Sequence, residues 1–123
     1  VDQARGGTGC AIVHSDSASG IQRLNQEAAK ALAAGRKAGF DISEGRAMTW
    51  ITKNPAKSLG ILDKTGTLEQ GKDADIVIWS GNPFSVYSKA EKVFIDGALA
   101  FDKATNFMPH TDFDIGVKEW EGK

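Results

Sequence analysis

The chain has 123 residues, 41% of them hydrophobic and 25% charged, with a formal net charge of −1. That length gives room for one ordinary domain with its own core, the composition excludes a disordered chain, and the near-zero charge excludes a general nucleic-acid binder, which needs a clustered positive excess. A single cysteine, Cys10, excludes an internal disulfide and leaves reducing and oxidising compartments both open, and no apolar run or basic amphipathic stretch fits a membrane span or surface.

The sequence opens on Val1 rather than Met, from which we expect either a processed chain or a piece of a longer one, and its start carries no signal-peptide pattern. Residues 1–9 read as a polar, glycine-rich loop. The apolar run Cys10-Ala11-Ile12-Val13 then ends abruptly at His14-Ser15-Asp16-Ser17, and a helical period starts at Ile21, so the unit reads as strand, loop, helix. A run apolar on both faces suits a strand with neighbours on each side, yet the chain offers Ala11-Ile12-Val13 no obvious partners. Cys10 reads as a small core residue. Asp16 admits two readings: a catalytic group at the C-terminal tip of a buried strand, or a helix cap shared with Ser17 and Ser19. His14, two residues earlier, points to the same side of the strand and reads as a hydrogen-bonded core residue.

Ile21, Leu24, Ala28, Ala31 and Leu32 fall on one face of a helix running to about Ala38, with Gly39 as its stop. Ser43 is the expected N-cap of a second helix that carries Ala47, Met48 and Ile51 toward the core, with Trp50 nearby. Asn54-Pro55 reads as the cap and first residue of a third, short helix ending near Gly60. After Asp63 the period turns to alternation. Ile76-Val77-Ile78-Trp79 is a strand followed by a turn at Gly81-Asn82-Pro83, and Lys92–Ile95 and Ala98–Phe101 flank Asp96-Gly97, the favoured pair for a tight hairpin. The second half is therefore antiparallel. The tail from Asn106, with Phe107, Phe113 and Trp120 among charges, has no clear period, and His110 within it reads as solvated.

Gly66 to Lys72 spells G-x-x-x-x-G-K, the opening of a phosphate loop. Asp73 stands where Mg²⁺ needs Ser or Thr, Glu69 repels phosphate, and a strand rather than a helix follows, so these glycines read as turn formers. Two histidines and one cysteine make no self-sufficient zinc site, and no G-x-S-x-G marks a serine hydrolase.

Four pieces, in order, resemble the C-terminal part of a metal-dependent amidohydrolase, of the imidazolonepropionase-like or cyclic-amidohydrolase kind. His14-Ser15-Asp16-Ser17 resembles the end of the eighth barrel strand, and Ile51-Thr52-Lys53-Asn54-Pro55-Ala56-Lys57-Ser58-Leu59-Gly60 the helix joint T-x-N-P-A-K-x-L-G. Thr65-Gly66-Thr67-Leu68-Glu69-Gln70-Gly71-Lys72-Asp73-Ala74-Asp75-Ile76-Val77 is similar to the signature G-x-L-x-x-G-K-D-A-D-x-V, the most specific of the four, and Val93-Phe94-Ile95-Asp96-Gly97 to the closing hairpin.

The resemblance implies an α/β fragment: the last strand-helix unit of a (β/α)8 barrel over residues 1–62, part of a composite antiparallel β-sandwich over 63–105, and an irregular tail over 106–123. It implies that Asp16 ligates a divalent metal, with zinc the expected identity, and moves a proton between the attacking water and the leaving amine. With the resemblance, that role takes precedence over the cap. The histidines and the Lys or Glu that complete such a cage have no counterpart here, so the chain is expected to hold no metal and to be inactive alone. The implied function is a C-terminal part of a hydrolase of carbon–nitrogen bonds, with a non-catalytic structural or interaction subunit as the alternative. The expected partner is the missing N-terminal barrel portion, with self-association through exposed edges and no nucleic acid or membrane. Gln22, Arg23 and Asn25 lie near the implied active-site edge, where a solvated helix start is their expected use. Substrate and compartment are left open.

Overall fold

The computed structural model describes residues 9–105; the expectations for residues 1–8 and for the tail with Phe107, His110, Phe113 and Trp120 lie outside the described residues. A 3-10 turn, Ile21–Arg23, runs into α1, Leu24–Lys37, followed by two one-and-a-half-turn helices, α2, Glu44–Thr49, and α3, Lys53–Ser58. A three-stranded antiparallel sheet in the order β1 (Ile76–Trp79), β2 (Ala90–Ile95), β3 (Ala98–Asp102) completes the chain.

The helix ends follow from local chemistry. α1 stops where Gly39 takes a φ of 87°: the Phe40 amide reaches back to the Gly35 carbonyl at 3.1 Å and that of Gly39 to Arg36 at 3.0 Å. This arrangement satisfies the last carbonyls of the helix and folds Phe40 onto the core. Ser43 caps α2, its Oγ accepting from the Arg46 amide at 3.2 Å. α3 begins earlier than expected: Thr52 is its N-cap and Asn54 lies inside the first turn. Pro55 costs nothing there, since that amide would have had no helical partner.

Leu32, Ile42, Ala47 and Trp50 form the core, with Ala11, Val13, Phe40 and Phe84 packed against it. On α1, Ala28 and Leu32 are buried as expected, whereas Ala31, and Ile21 in the turn before the helix, are exposed. Met48 and Ile51 are only half-buried. The helices have one covered side, and residues off its centre stay wet.

Residues 11–13 form no strand ladder. Among the described residues no strand lies beside it: the sheet is elsewhere, and this segment bonds to helices instead, the Val13 amide donating to the Trp50 carbonyl at 3.1 Å. It keeps a strand's alternation all the same. Ala11, Val13 and Ser15 are partly buried and Ile12, His14 and Asp16 exposed, so one face lies on the helices and the other is open. Cys10 and His14, expected in the core, are both exposed, because a core on the second face would need elements that the described residues do not supply.

In the sheet, Ile76 pairs with Phe94 and Val93 with Phe101. The β2–β3 turn has Asp96 at φ 50° and Gly97 at φ 76°, the doubly left-handed turn whose twist matches the strands it joins. Burial does not alternate along β1, where Val77 and Ile78 are each 43% exposed. The connection from β1 to β2 returns to the helices: Phe84 enters the core margin, Asn25 Nδ2 donates to the Pro83 carbonyl at 2.6 Å and Asn82 Nδ2 to Glu44 Oε2 at 3.0 Å.

The G-x-x-x-x-G-K stretch closes on itself. Lys72 Nζ donates to the Leu62 carbonyl and to Thr67 Oγ1, both at 2.6 Å, and lies 3.4 Å from Glu69 Oε2. Its charge is spent inside the loop, and the Lys72 amide closes a turn on the Glu69 carbonyl at 3.3 Å. Asp75 fastens the loop to the hairpin, accepting from Thr65 Oγ1 at 3.0 Å and from the Asp96 amide at 3.1 Å.

Candidate active site

The open face of the 11–16 segment carries the chemistry. His14 Nδ1 stands 3.3 Å from Asp16 Oδ1, with side chains 72% and 94% exposed; residues two apart on an extended segment share a side, and here they meet. The serines, not Asp16, hold the start of the helical segment. Ser17 Oγ accepts from the Gly20 amide at 3.1 Å, the Ser17 carbonyl takes the Ile21 amide at 3.1 Å, and Ser15 Oγ accepts from the Ser17 amide at 3.1 Å. Gly20 packs closely over this loop, where a Cβ would come within 2.5 Å of Ser15 Oγ. With the cap work done by its neighbours, the Asp16 carboxylate projects outward with His14 as its contact among the described residues.

Gln22 and Arg23 are exposed at the helix start as expected, but Asn25 is not solvated: it is 9% exposed and bonded to Pro83. Its position three and seven residues before Ala28 and Leu32 puts it on the buried stripe of α1, which was the available signal. Asn54, expected as a cap, instead donates from Nδ2 to the Ala11 carbonyl at 2.7 Å. No pattern within the sequence marks that bond, which joins residues 43 positions apart.

A metal site takes three or four ligands. Asp16 and His14 offer one carboxylate and one imidazole engaged with each other, and no group of three His, Cys, Asp or Glu able to hold an ion occurs among the described residues. These side chains fit one corner of a metal cage, not a whole one. A separate apolar groove of about 820 Å³, lined by Met48, Ile51, Leu59, Leu68, Val77 and Trp79 among others, opens between α2, α3 and β1. Neither His14 nor Asp16 borders it. Its walls are mostly apolar, with Lys53, Asp73, Asp75 and several threonines among them, and Asp75 is bonded to Thr65 and Asp96; no His or Cys among the described residues lines it.

The chain belongs to the Amidohydrolase family, whose profile matches residues 4–107. The chain is similar to an imidazolonepropionase of Thermoplasma volcanium, 42% identical over 67 residues that are 50% of this chain and 17% of that protein. It is also similar to the amidohydrolase tasK of Hapsidospora irregularis, 39% identical over 56 residues, 46% of this chain and 6% of that protein. The crystal structure of an amidohydrolase from Thermotoga maritima superposes with a TM-score of 0.60 at 40% identity, covering 68% of this chain and 20% of that one. In each case the chain spans a fifth or less of the relative's length. No helix among the described residues is long and apolar enough to cross a membrane.

Proposed function

We propose that this chain supplies the closing strand-helix unit and part of the composite β-sandwich of a metal-dependent hydrolase that opens a carbon–nitrogen bond in a cyclic amide or amidine. The observation that carries the reading is the alternation over residues 11–16, which lays Ala11 and Val13 on the helices and turns His14 and Asp16 to the opposite side. In a (β/α)8 barrel the side of a strand away from its helices faces the barrel axis, and groups at its C-terminal end reach the active site. Family membership and the names of the relatives support the bond class.

In this reading Asp16 is one ligand of a divalent metal, zinc by expectation, whose contribution when bound is a water made acidic near neutral pH. The Asp16 carboxylate accepts a proton from the attacking water and later delivers it to the departing amine, which leaves as a neutral group. His14 Nδ1, 3.3 Å from the same carboxylate, holds its orientation, as partners around a ligating group commonly do. The rest of the barrel supplies the remaining ligands and covers the apolar groove and the free edges of β1 and β3, which otherwise favour self-association.

The test begins with the coding DNA upstream of Val1. An in-frame H-x-H and later histidines support the enzyme, and a start codon with its own promoter at residue 1 supports a non-catalytic subunit. In the polypeptide that contains the whole barrel, Asp16→Asn is expected to lower turnover of a cyclic amide by about 10²–10⁴-fold, the range for loss of a positioned acid-base group. Unchanged turnover would remove Asp16 from the mechanism.

A further inference from the structure

We propose that Ser15 is a positioning residue for Asp16, and that Gly20 leaves the room its hydroxyl needs; the proposal rests on the role given to Asp16 above. Ser15 Oγ accepts from the Ser17 amide at 3.1 Å and donates to the Ser17 carbonyl at 2.9 Å. One hydroxyl thus bridges the two peptide groups that follow Asp16. The bridge closes a ring through Asp16 and ties down its two backbone dihedrals, which sets the direction in which the carboxylate leaves the chain. These bonds lie beyond the extended segment, where the chain bends at Asp16 and Ser17 and turns through residues 18–20. A strand ladder beside residues 11–15 ends at such a bend. Neighbouring barrel strands would therefore set the register of the segment and leave the Ser17 peptide groups to partners within the loop.

Gly20 points to the same hydroxyl from the other side of the loop. Its backbone has φ −73° and ψ −33°, which any L-residue adopts, so no torsional demand explains a glycine there. Space does. A Cβ at residue 20 would come within 2.5 Å of Ser15 Oγ, whereas the Cβ atoms of Ser15 and Ser17 would lie 3.6 Å away, an ordinary contact. The atom such a Cβ would displace is the bridging oxygen. Rotating the Ser15 side chain away relieves the clash and breaks both of its bonds to Ser17 together, so a methyl group at residue 20 and the loss of the hydroxyl at residue 15 have one and the same consequence.

Ser15→Ala, Gly20→Ala and the double variant form the test. In the 123-residue chain, exchange of the Ser17 amide with water, read by NMR, is expected to quicken by roughly five- to ten-fold in either single variant, the equivalent of one lost hydrogen bond, with the amides of β2 unchanged. In the polypeptide with the whole barrel, each single variant is expected to lower kcat on the order of 10–100-fold, the effect of a small misplacement of a reacting group, with KM little changed. The double variant loses no more than Ser15→Ala alone, because the new Cβ then meets no hydroxyl. In an Asp16→Asn background neither substitution adds a loss. Undisturbed Ser17 exchange in Ser15→Ala would overturn the bridge, and additive losses in the double variant would overturn the part given to Gly20. A loss of kcat that persists in full when Asp16 is already replaced would overturn the positioning role, since it marks a merely structural effect. Full turnover in Asp16→Asn would instead refute the role of Asp16 on which the proposal depends, whereas full turnover in Ser15→Ala beside a crippled Asp16→Asn would refute the proposal alone.

Discussion

Replacing Lys72 by Met tests whether the glycine-flanked loop is a structural staple. The ammonium group has a side chain only 12% exposed and donates to the Leu62 carbonyl and to Thr67 Oγ1, both at 2.6 Å. Methionine keeps the length and much of the apolar stem and removes both donors. Hydrogen bonds from a charged group contribute about 1.5–3 kcal/mol each; water can reach part of the loop, so the lower end applies, about 3 kcal/mol for the pair. For a domain of this size that is a fall in Tm on the order of 12–24 °C, and a large part of a total stability of about 5–15 kcal/mol. Thermal and urea unfolding of the two proteins, compared at constant m-value, measures it. Lys72→Arg is expected to fall between them, because a planar guanidinium cannot place its donors at the same two acceptors. A Met variant within about 0.5 kcal/mol of the parent, the range of an ordinary surface change, would refute the staple.

Gly66→Ala is expected to destabilise by about 2 kcal/mol or more, combining backbone strain with overpacking, since Gly66 has φ 94° and a new Cβ would meet the Ala56 Cβ at 2.5 Å; unfolding in urea measures the loss. Ser43→Ala removes the acceptor for the Arg46 amide and is expected to cost about 1 kcal/mol, with helix content from circular dichroism and the urea midpoint as readouts. Acid is expected to weaken the fold through two carboxylates. Thr67, then Lys72, hold Glu69 below its ordinary 4.5, and Lys92, then the Ala104 amide, hold Asp102 below its ordinary 3.8. A lowered folded-state pKa gives stability that is present above the unfolded value and is lost as pH falls through the folded one. Stability should hold from neutrality to about pH 5 and decline from there downward, with the decline reduced in Asp102→Asn; a profile unchanged by that substitution would count against the pairing.

Local chemistry was legible in the sequence, and neighbourhood was not. Ser43, Gly39 and the Asp96-Gly97 turn act through bonds to residues a few positions away, and the structure has each where the pattern puts it. Cys10 and His14 were placed in a core because their segment is apolar, but burial depends on what packs against the second face, and no property of the segment reports that. Asn25 and Asn54 make side-chain bonds to backbone 58 and 43 residues away; the first leaves a trace as a polar residue on a buried stripe, the second none. Lys72 shows the reverse case. The motif signalled its importance, while its partners, Leu62 and Thr67, gave the reason only in three dimensions.

The 11–16 segment covers one face only, and the apolar residues Val77, Ile78, Ile95 and Leu99 of the sheet, which lie on both its faces, are each more than 40% exposed. Exposed apolar strands with unpaired edges favour association with another chain, so leaving them open is costly unless something is built to cover them. On the function proposed above, the same absent elements would cover the sheet and surround Asp16. One consequence separates that view from a chain complete in itself. If the rest of a barrel packs on these faces, adding it should raise stability and shield Val77 and Ile78 from solvent together with the open side of the 11–16 segment. A chain that merely dimerises through β1 or β3 would protect the sheet edge and leave Ile12, His14 and Asp16 as exposed as before.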